Sequence, residues 1–111
     1  MIRADQANLP PLIREHYGEL AALCGECHVR RLWVFGSVLR DDFDPGGSDL
    51  DFAMKFRDDA PAGGLRGPYF NLLLGLEDLF GRSVDLVERH VVRNPYFRAE
   101  LDQTCVPVYE A

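Results

Sequence analysis

The segment Trp33-Val34-Phe35-Gly36-Ser37 is an apolar run that breaks into a Gly-Ser pair, and twelve residues after Ser37 the chain reads Asp49-Leu50-Asp51. A third acid, Asp85, lies inside another apolar run at residues 84–87. Short apolar runs of this kind are typical of buried strands. Carboxylates placed side by side on such strands repel one another, and burying them is costly unless a cation or a proton neutralises them. The pattern therefore predicts a divalent-cation site.

The length and charge of the chain limit what such a site can serve. The chain has 111 residues and a mass of 12.6 kDa, which predicts one small domain over residues 1–111. A net charge of −6 argues against a broad nucleic-acid-binding surface, although a nucleotide could still be bound through a metal. An acidic surface would suit a basic protein partner. Since no apolar signal-peptide core or membrane-spanning run is visible, we expect a cytoplasmic protein without a membrane partner.

Apolar periodicity and turn residues predict alternating helices and strands, which indicates an α/β layer structure. Helices are predicted over Leu12–Leu23, ended by Gly25, over Tyr69–Phe80, ended by Gly81, and over Pro95–Gln103. Strands are predicted over Val29–Phe35, Leu50–Phe56, Ser83–Glu88 and Val106–Tyr109. The helix at Tyr69–Phe80 is apolar almost all round, so we expect it to be buried. The intervening segment Arg57–Gly67 is expected to be a mobile loop.

The three acids and the Gly-Ser turn have complementary chemistry. Residues two apart on a strand share a face, so Asp49 and Asp51 would converge above the sheet, and Asp85 on a neighbouring strand could complete a second position for Mg²⁺. A strand that ends in Gly36-Ser37 would present free backbone N–H groups to a phosphate, with Arg40 close enough to neutralise it. The alternatives are an ordinary turn at Gly36-Ser37, a loop end at Ser48-Asp49, and a salt bridge between Asp85 and Arg82.

The cysteine pattern suggests a haem or zinc site, but neither interpretation holds. Residues 24–28 read Cys-Gly-Glu-Cys-His, the pattern of covalent c-type haem attachment. That chemistry needs an export signal and an axial ligand, and neither is visible. A zinc site is also disfavoured, because no second ligand pair follows at the usual spacing. We therefore interpret Cys24, Cys27 and Cys105 as reduced thiols.

Gly36-Ser37, followed by a spacer that ends in Ser48 and then by Asp49-Leu50-Asp51, resembles the nucleotidyltransferase signature of the DNA polymerase β-like superfamily. Residues 81–87, Gly-Arg-Ser-Val-Asp-Leu-Val, are similar to the segment that carries that family's third carboxylate. The short chain and the tail at residues 93–109 resemble the minimal nucleotidyltransferase branch. The likeness covers about residues 28–110. One departure is Asp41, which stands where many relatives have Gly after the Arg matching Arg40.

The resemblance implies a small mixed β-sheet backed by helices, with Mg²⁺, as two ions, held by Asp49, Asp51 and Asp85. It implies that Gly36 and Ser37 contact the β- and γ-phosphates of ATP, with Arg40 and Ser48 nearby. Members of this branch are often paired with a HEPN-type RNase toxin and transfer AMP to a tyrosine of it. The resemblance thus implies a protein adenylyltransferase that acts as an antitoxin and assembles with its toxin. A non-catalytic antitoxin that binds its toxin sterically, and a nucleotidyltransferase acting on a small molecule, are the alternatives.

Overall fold

The computed structural model describes residues 9–39, 49–61 and 67–111. Arg40 and Ser48, which were predicted to contact the nucleotide, lie outside these ranges, as does Asp41. The helices are α1 (Pro11–Glu15), α2 (Tyr17–Glu26), α3 (Pro68–Phe80) and α4 (Pro95–Thr104), and the strands are β1 (Val29–Phe35), β2 (Leu50–Phe56), β3 (Val84–Glu88) and β4 (Val106–Glu110). Two 3₁₀ turns, Gly36–Leu39 and Arg89–Val91, follow β1 and β3.

The strands form one mixed sheet in the order β3-β2-β1-β4. Strand β1 is antiparallel to both β2 and β4, whereas β2 and β3 are parallel. Parallel neighbours need a crossover connection, and α3 lies in the chain between β2 and β3. The predicted small mixed sheet backed by helices is confirmed.

The two faces of the sheet carry different side chains because successive residues of a strand point to opposite sides. On β2, Leu50, Phe52 and Met54 are all buried in the main core. Their alternate neighbours Asp51, Ala53 and Lys55 lie on the opposite face, where Ala53 packs in a smaller cluster with Trp33, Phe35 and Leu101. Helices α2 and α3 cover the first face, and α4 covers part of the second.

Helix α3 sits tightly against α2 because Gly75 has no side chain. A Cβ atom at Gly75 would lie 2.6 Å from Leu23 Cδ1, which is far closer than such atoms approach. Gly81 ends α3 in the left-handed conformation, with φ +65°, as its place in the sequence predicted. The expectation that α3 is buried on all sides is wrong, since Phe70 and Leu74 are 45% and 59% exposed. They lie four residues apart on the face turned away from the sheet.

The single helix predicted over Leu12–Leu23 is instead two helices, α1 and α2, separated at His16. The backbone leaves helical geometry there, with φ −111° and ψ 16°, and the His16 ring packs edge-on against Phe80 at 5.3 Å. Gly25 does not end the helix. Helix α2 continues to Glu26, and the left-handed turn falls on His28, at φ +61°.

Cys24 and Cys27 lie in the main core as free thiols. Burial raises the pKa of both thiols above the ordinary value, which keeps them protonated. Buried, protonated thiols are poor nucleophiles and poor metal ligands. Of the helices in the described ranges, none is long and apolar enough to cross a bilayer.

Candidate active site

Two of the predicted acids lie side by side. Asp51 on β2 and Asp85 on β3 are paired residues of the parallel ladder. They therefore project from the same face of the sheet, on adjacent strands that run about 4.8 Å apart. Asp51 is half-buried and Asp85 is exposed. Asp85 forms no ion pair with any described residue, so Arg82 does not neutralise it within the described part of the chain.

Gly36 brings the end of β1 directly against Asp51. Phe35, the last residue of β1, pairs with Asp51 across the antiparallel ladder. Gly36 then turns the chain with φ +81°, a conformation that side chains disfavour, and a Cβ there would lie 2.2 Å from Asp51 Oδ2. Both the backbone conformation and the space require glycine. The result is a turn whose backbone touches the carboxylate.

Gly36, Asp51 and Asp85 line one pocket of about 680 Å³. This volume is in the range of small-molecule and cofactor sites. The remaining walls come from β1, α3, α4 and the edge strand β3 and comprise Phe35, Tyr69, Leu73, Val84, Leu86, Val87, Phe97 and Glu100. A carboxylate pair, a glycine turn and aromatic walls thus meet in one cavity.

Tyr69 reinforces the edge of this pocket. Its hydroxyl donates a hydrogen bond to the Leu86 carbonyl, which satisfies a backbone group on the outer side of β3. Burial raises the pKa of the Tyr69 hydroxyl, and the negative charges of Glu88 and Asp85 raise it further. The hydroxyl therefore stays protonated and remains a donor.

The described residues contain no group of three or more His, Cys, Asp or Glu side chains arranged to hold a metal. This fits the chemistry of Mg²⁺, which is usually bound through one or two carboxylates, with water and substrate phosphates completing its shell. Asp51 and Asp85 offer two such carboxylates on adjacent strands. The close approach of Gly36 to Asp51 Oδ2 also places a backbone turn directly beside this carboxylate. The donor set therefore fits a cation that a nucleotide brings with it.

The structure gathers some of the predicted site residues and not others. Gly36, Asp51 and Asp85 share the pocket. Asp49 is exposed just before β2 and is not among the residues that line it. Ser37 belongs to the 3₁₀ turn after Gly36. The roles assigned to these residues stay predictions.

Several pocket residues were not identified from the sequence, among them three that carry an aromatic ring or a carboxylate and lie on helices. Tyr69, Phe97 and Glu100 come from α3 and α4. The sequence offered no signal for them, because their position depends on how the two helices pack against the sheet. Glu100 adds a third carboxylate to the walls.

Residues 13–106 match the family model described as "Nucleotidyltransferase domain". The match covers most of the 111-residue chain. The chain belongs to the nucleotidyltransferase domain family. The family predicted from the Gly-Ser turn and the spaced acids is thereby confirmed, and with it the general class of transferases that act on nucleotides.

Solved structures share the fold of this nucleotidyltransferase domain. A candidate minimal nucleotidyltransferase matches with a TM-score of 0.64 and 27% identity, covering 89% of this chain and 95% of that chain. A toxin–antitoxin structure with AMP-PNP matches with a TM-score of 0.62 and 15% identity, covering 86% and 73% of the two chains. A MntA–HepT toxin–antitoxin structure matches with a TM-score of 0.59 and 14% identity, covering 88% and 73%. No curated protein matches this domain significantly.

Proposed function

We propose that this nucleotidyltransferase domain, as a single domain over residues 1–111, transfers AMP from ATP to a tyrosine hydroxyl of a partner protein. The partner would be a HEPN-type RNase toxin, and the domain would act as its antitoxin. The observation that carries the proposal is the convergence of Gly36, Asp51 and Asp85 on one pocket. The fold shared with a toxin–antitoxin structure that contains AMP-PNP supports the choice of nucleotide and partner.

The nucleotide would lie with its phosphates at the Gly36 turn. The backbone N–H groups of residues 36–39 and the hydroxyl of Ser37 would donate to the β- and γ-phosphates. Arg40 and Ser48 would complete this contact. Because Gly36 has no Cβ, the phosphates can approach both the turn and the Asp51 carboxylate.

Asp49 and Asp51 would hold Mg²⁺, and Asp85, beside Asp51 on the adjacent strand, would either complete a position for a second Mg²⁺ or act as the base. When bound, Mg²⁺ supplies charge neutralisation for the triphosphate and for the leaving pyrophosphate. The carboxylates themselves fix the position of the triphosphate relative to β2 and β3, so that the reacting atoms are already oriented.

The transfer is an in-line displacement at the α-phosphorus. The tyrosine oxygen forms a bond to that phosphorus while the bond to the α,β-bridging oxygen breaks, and pyrophosphate leaves with the electron pair. Asp85 is the exposed carboxylate on the edge strand, so it faces an arriving protein and accepts the proton of the tyrosine hydroxyl. Asp51, which is half-buried and pressed against Gly36, serves the nucleotide.

The test is the intact mass of the candidate toxin after incubation with this domain, ATP and Mg²⁺. We expect one or more added AMP units, lost when Asp51→Asn replaces the wild type. Asp78→Asn, which removes an exposed carboxylate on α3 outside the lining of the pocket, is the matched control and should retain transfer. A tight complex without added mass would instead establish steric neutralisation, and transfer to a small molecule alone would exclude a protein acceptor.

A further inference from the structure

A second concave surface lies on the same face of the sheet as Asp51, at the opposite end of the strands. It has a volume of about 430 Å³ and is lined by Arg30, Arg31, Trp33, Lys55, Arg89, His90 and Arg98. We call these seven residues the basic groove. They come from β1, β2, the second 3₁₀ turn and α4, so the fold assembles them from distant parts of the sequence.

The basic groove is positively charged although the chain as a whole is acidic. The whole protein carries 18 acidic and 12 basic residues, yet the described lining of the groove contains five Arg or Lys and no acid. Arg31 and Lys55 are paired residues of neighbouring strands. Like charges directly opposite one another destabilise a sheet. The Arg31–Glu110 ion pair offsets part of that repulsion, and a bound anion would offset more.

Two of the arginines are held in place by carboxylates at the rim. Arg31 pairs with Glu110 at 2.8 Å, and Arg89 pairs with Asp102 at 2.7 Å. The Arg89 guanidinium also lies 4.4 Å above the Trp33 ring. Both guanidiniums are thereby fixed in orientation before any ligand arrives.

Arg30, Lys55 and Arg98 provide the unsatisfied charge. All three are exposed, and none forms a side-chain ion pair with a described residue. They share one lining with the two oriented arginines. A ligand with several adjacent negative groups would satisfy them together.

The charge of the rest of the chain selects the class of ligand. A nucleic-acid strand extending beyond the groove would meet a protein that is acidic overall, and such a protein repels a long polyanion. A short run of carboxylates fits within the groove and meets no such penalty. Guanidinium groups bind carboxylates in a planar, two-pronged geometry.

The location of the basic groove connects it to the pocket. Lys55 lies four residues after Asp51 on β2 and on the same face, a separation of about 13 Å along the strand. Ala53, between them on the same face, is buried beneath α4. An acidic segment bound in the groove would therefore pass around α4, and the residues that follow it in its own chain would reach the pocket.

We infer that the basic groove docks a short Asp/Glu-rich segment of the protein that receives AMP, and so presents its hydroxyl to Asp85. This inference rests on the proposed function for the identity of the acceptor. The binding of an acidic segment can nevertheless be measured without any transfer.

The first experiment measures binding of a fluorescent hexaglutamate peptide to the full chain by anisotropy. The test variant is Lys55→Glu with Arg98→Glu, and the matched control is Arg14→Glu with Arg93→Glu, which changes the net charge equally at exposed positions outside the groove. Each lost charge-assisted contact is worth about tenfold in affinity. We expect at least about a tenfold loss in the test variant and near wild-type binding in the control. Equal binding by both variants, or no binding to the wild type, would overturn the inference.

A thymidine oligonucleotide of equal charge distinguishes the ligand class. Weaker binding than hexaglutamate supports the carboxylate assignment, whereas tighter binding that the groove variant abolishes would reassign the groove to nucleic acid and overturn it.

The second experiment measures AMP transfer to the acceptor protein as a function of acceptor and ATP concentration. The groove variant should raise the KM for the acceptor and leave the KM for ATP and the kcat unchanged. An unchanged acceptor KM would contradict the inference while leaving the proposed transfer intact. Absence of transfer in the wild type, with hexaglutamate still bound in the groove, would contradict the proposed function alone.

Discussion

The two faces of strand β2 serve different ends although their residues alternate along one short segment. Leu50, Phe52 and Met54 are fully buried beneath the helices, whereas Asp51 and Lys55 on the other face carry charge into concave surfaces. The first face buries apolar area and stabilises the fold. The second places like charges close together, which costs stability. Residues that stabilise the fold and residues that carry charge therefore alternate along β2, and a shift of its pairing by one residue would exchange the two faces.

The stability of the fold is most sensitive to substitution on the buried face of β2. Phe52→Ala should lower the free energy of unfolding by about 3–5 kcal/mol, because Phe52 is fully buried and stacks near Phe80. Denaturant unfolding measures the change. Phe70→Ala is the control, since Phe70 is 45% exposed on α3, and it should cost much less. Similar costs for both substitutions would contradict the assignment of the core.

Asp51, one residue before Phe52, should show the opposite pattern: a large loss of activity with little loss of stability. Asp51→Asn should reduce AMP transfer by at least about 100-fold, the scale typical for removal of one charge-stabilising group. Its free energy of unfolding should stay within about 0.5 kcal/mol of the wild type or rise, because repulsion with Asp85 is relieved. Transfer rates and unfolding curves on the same preparations check both parts. A variant that unfolds readily would show that Asp51 is a structural residue.

The contact between the Gly36 turn and the Asp51 carboxylate can be disrupted by a substitution at Gly36. Gly36→Ala should cost about 1–2 kcal/mol from the left-handed backbone alone and should also push the Asp51 carboxylate aside. We therefore expect lost transfer together with lowered stability, both measured as above. Gly18→Ala in α2 is the matched control: its added Cβ meets nothing within 4 Å, and the change should stabilise the helix by about 0.5–1 kcal/mol. Full activity in Gly36→Ala would contradict the close approach.

The smallest effect concerns the thiols beneath the first face. Burial raises the pKa of Cys24 far above its ordinary value of 9.0, so the folded thiol stays protonated where the unfolded one ionises. The stability associated with this shift is complete below about pH 9 and declines at higher pH, by up to about 1.4 kcal/mol per pH unit. Unfolding curves at pH 8 and pH 10 measure the decline. It should be shallower in Cys24→Ala, and an unchanged slope would show that other groups cause it.

The sequence predicted the fold where local pattern and tertiary packing agree. Strands β1 and β2 have the predicted bounds, Val29–Phe35 and Leu50–Phe56, because a short apolar run that ends in Gly-Ser and a period-two alternation both favour a strand. Gly81 was recognised as a helix end for an equally local reason. The break at His16 was not predicted, since it accompanies a ring contact with Phe80 that is distant in sequence.

The candidate site was predictable only in part. Asp51 and Asp85 stand out because acids are unusual inside apolar strands, and Gly36 stands out because a Gly-Ser pair marks the end of the β1 run. Glu100 and the basic groove gave no local signal, because Arg31, Lys55 and Arg98 become neighbours only once the sheet and α4 have formed. The exposed surface of α3 was missed because its composition, with Phe70 and Leu74, is that of a buried helix.

Nucleotide binding at the charged face of β2 is tested most directly by thermal unfolding. The measurement is the change in Tm caused by Mg²⁺ with a non-hydrolysable ATP analogue, compared between wild type and Asp51→Asn. A ligand at 100 times its Kd stabilises the folded state by about 2.7 kcal/mol. We expect a clear rise in Tm for the wild type and none for the variant, whose Tm without ligand should match or exceed that of the wild type. An equal rise in both proteins would contradict the claim that the charged face of β2 exists to hold a metal-bound nucleotide.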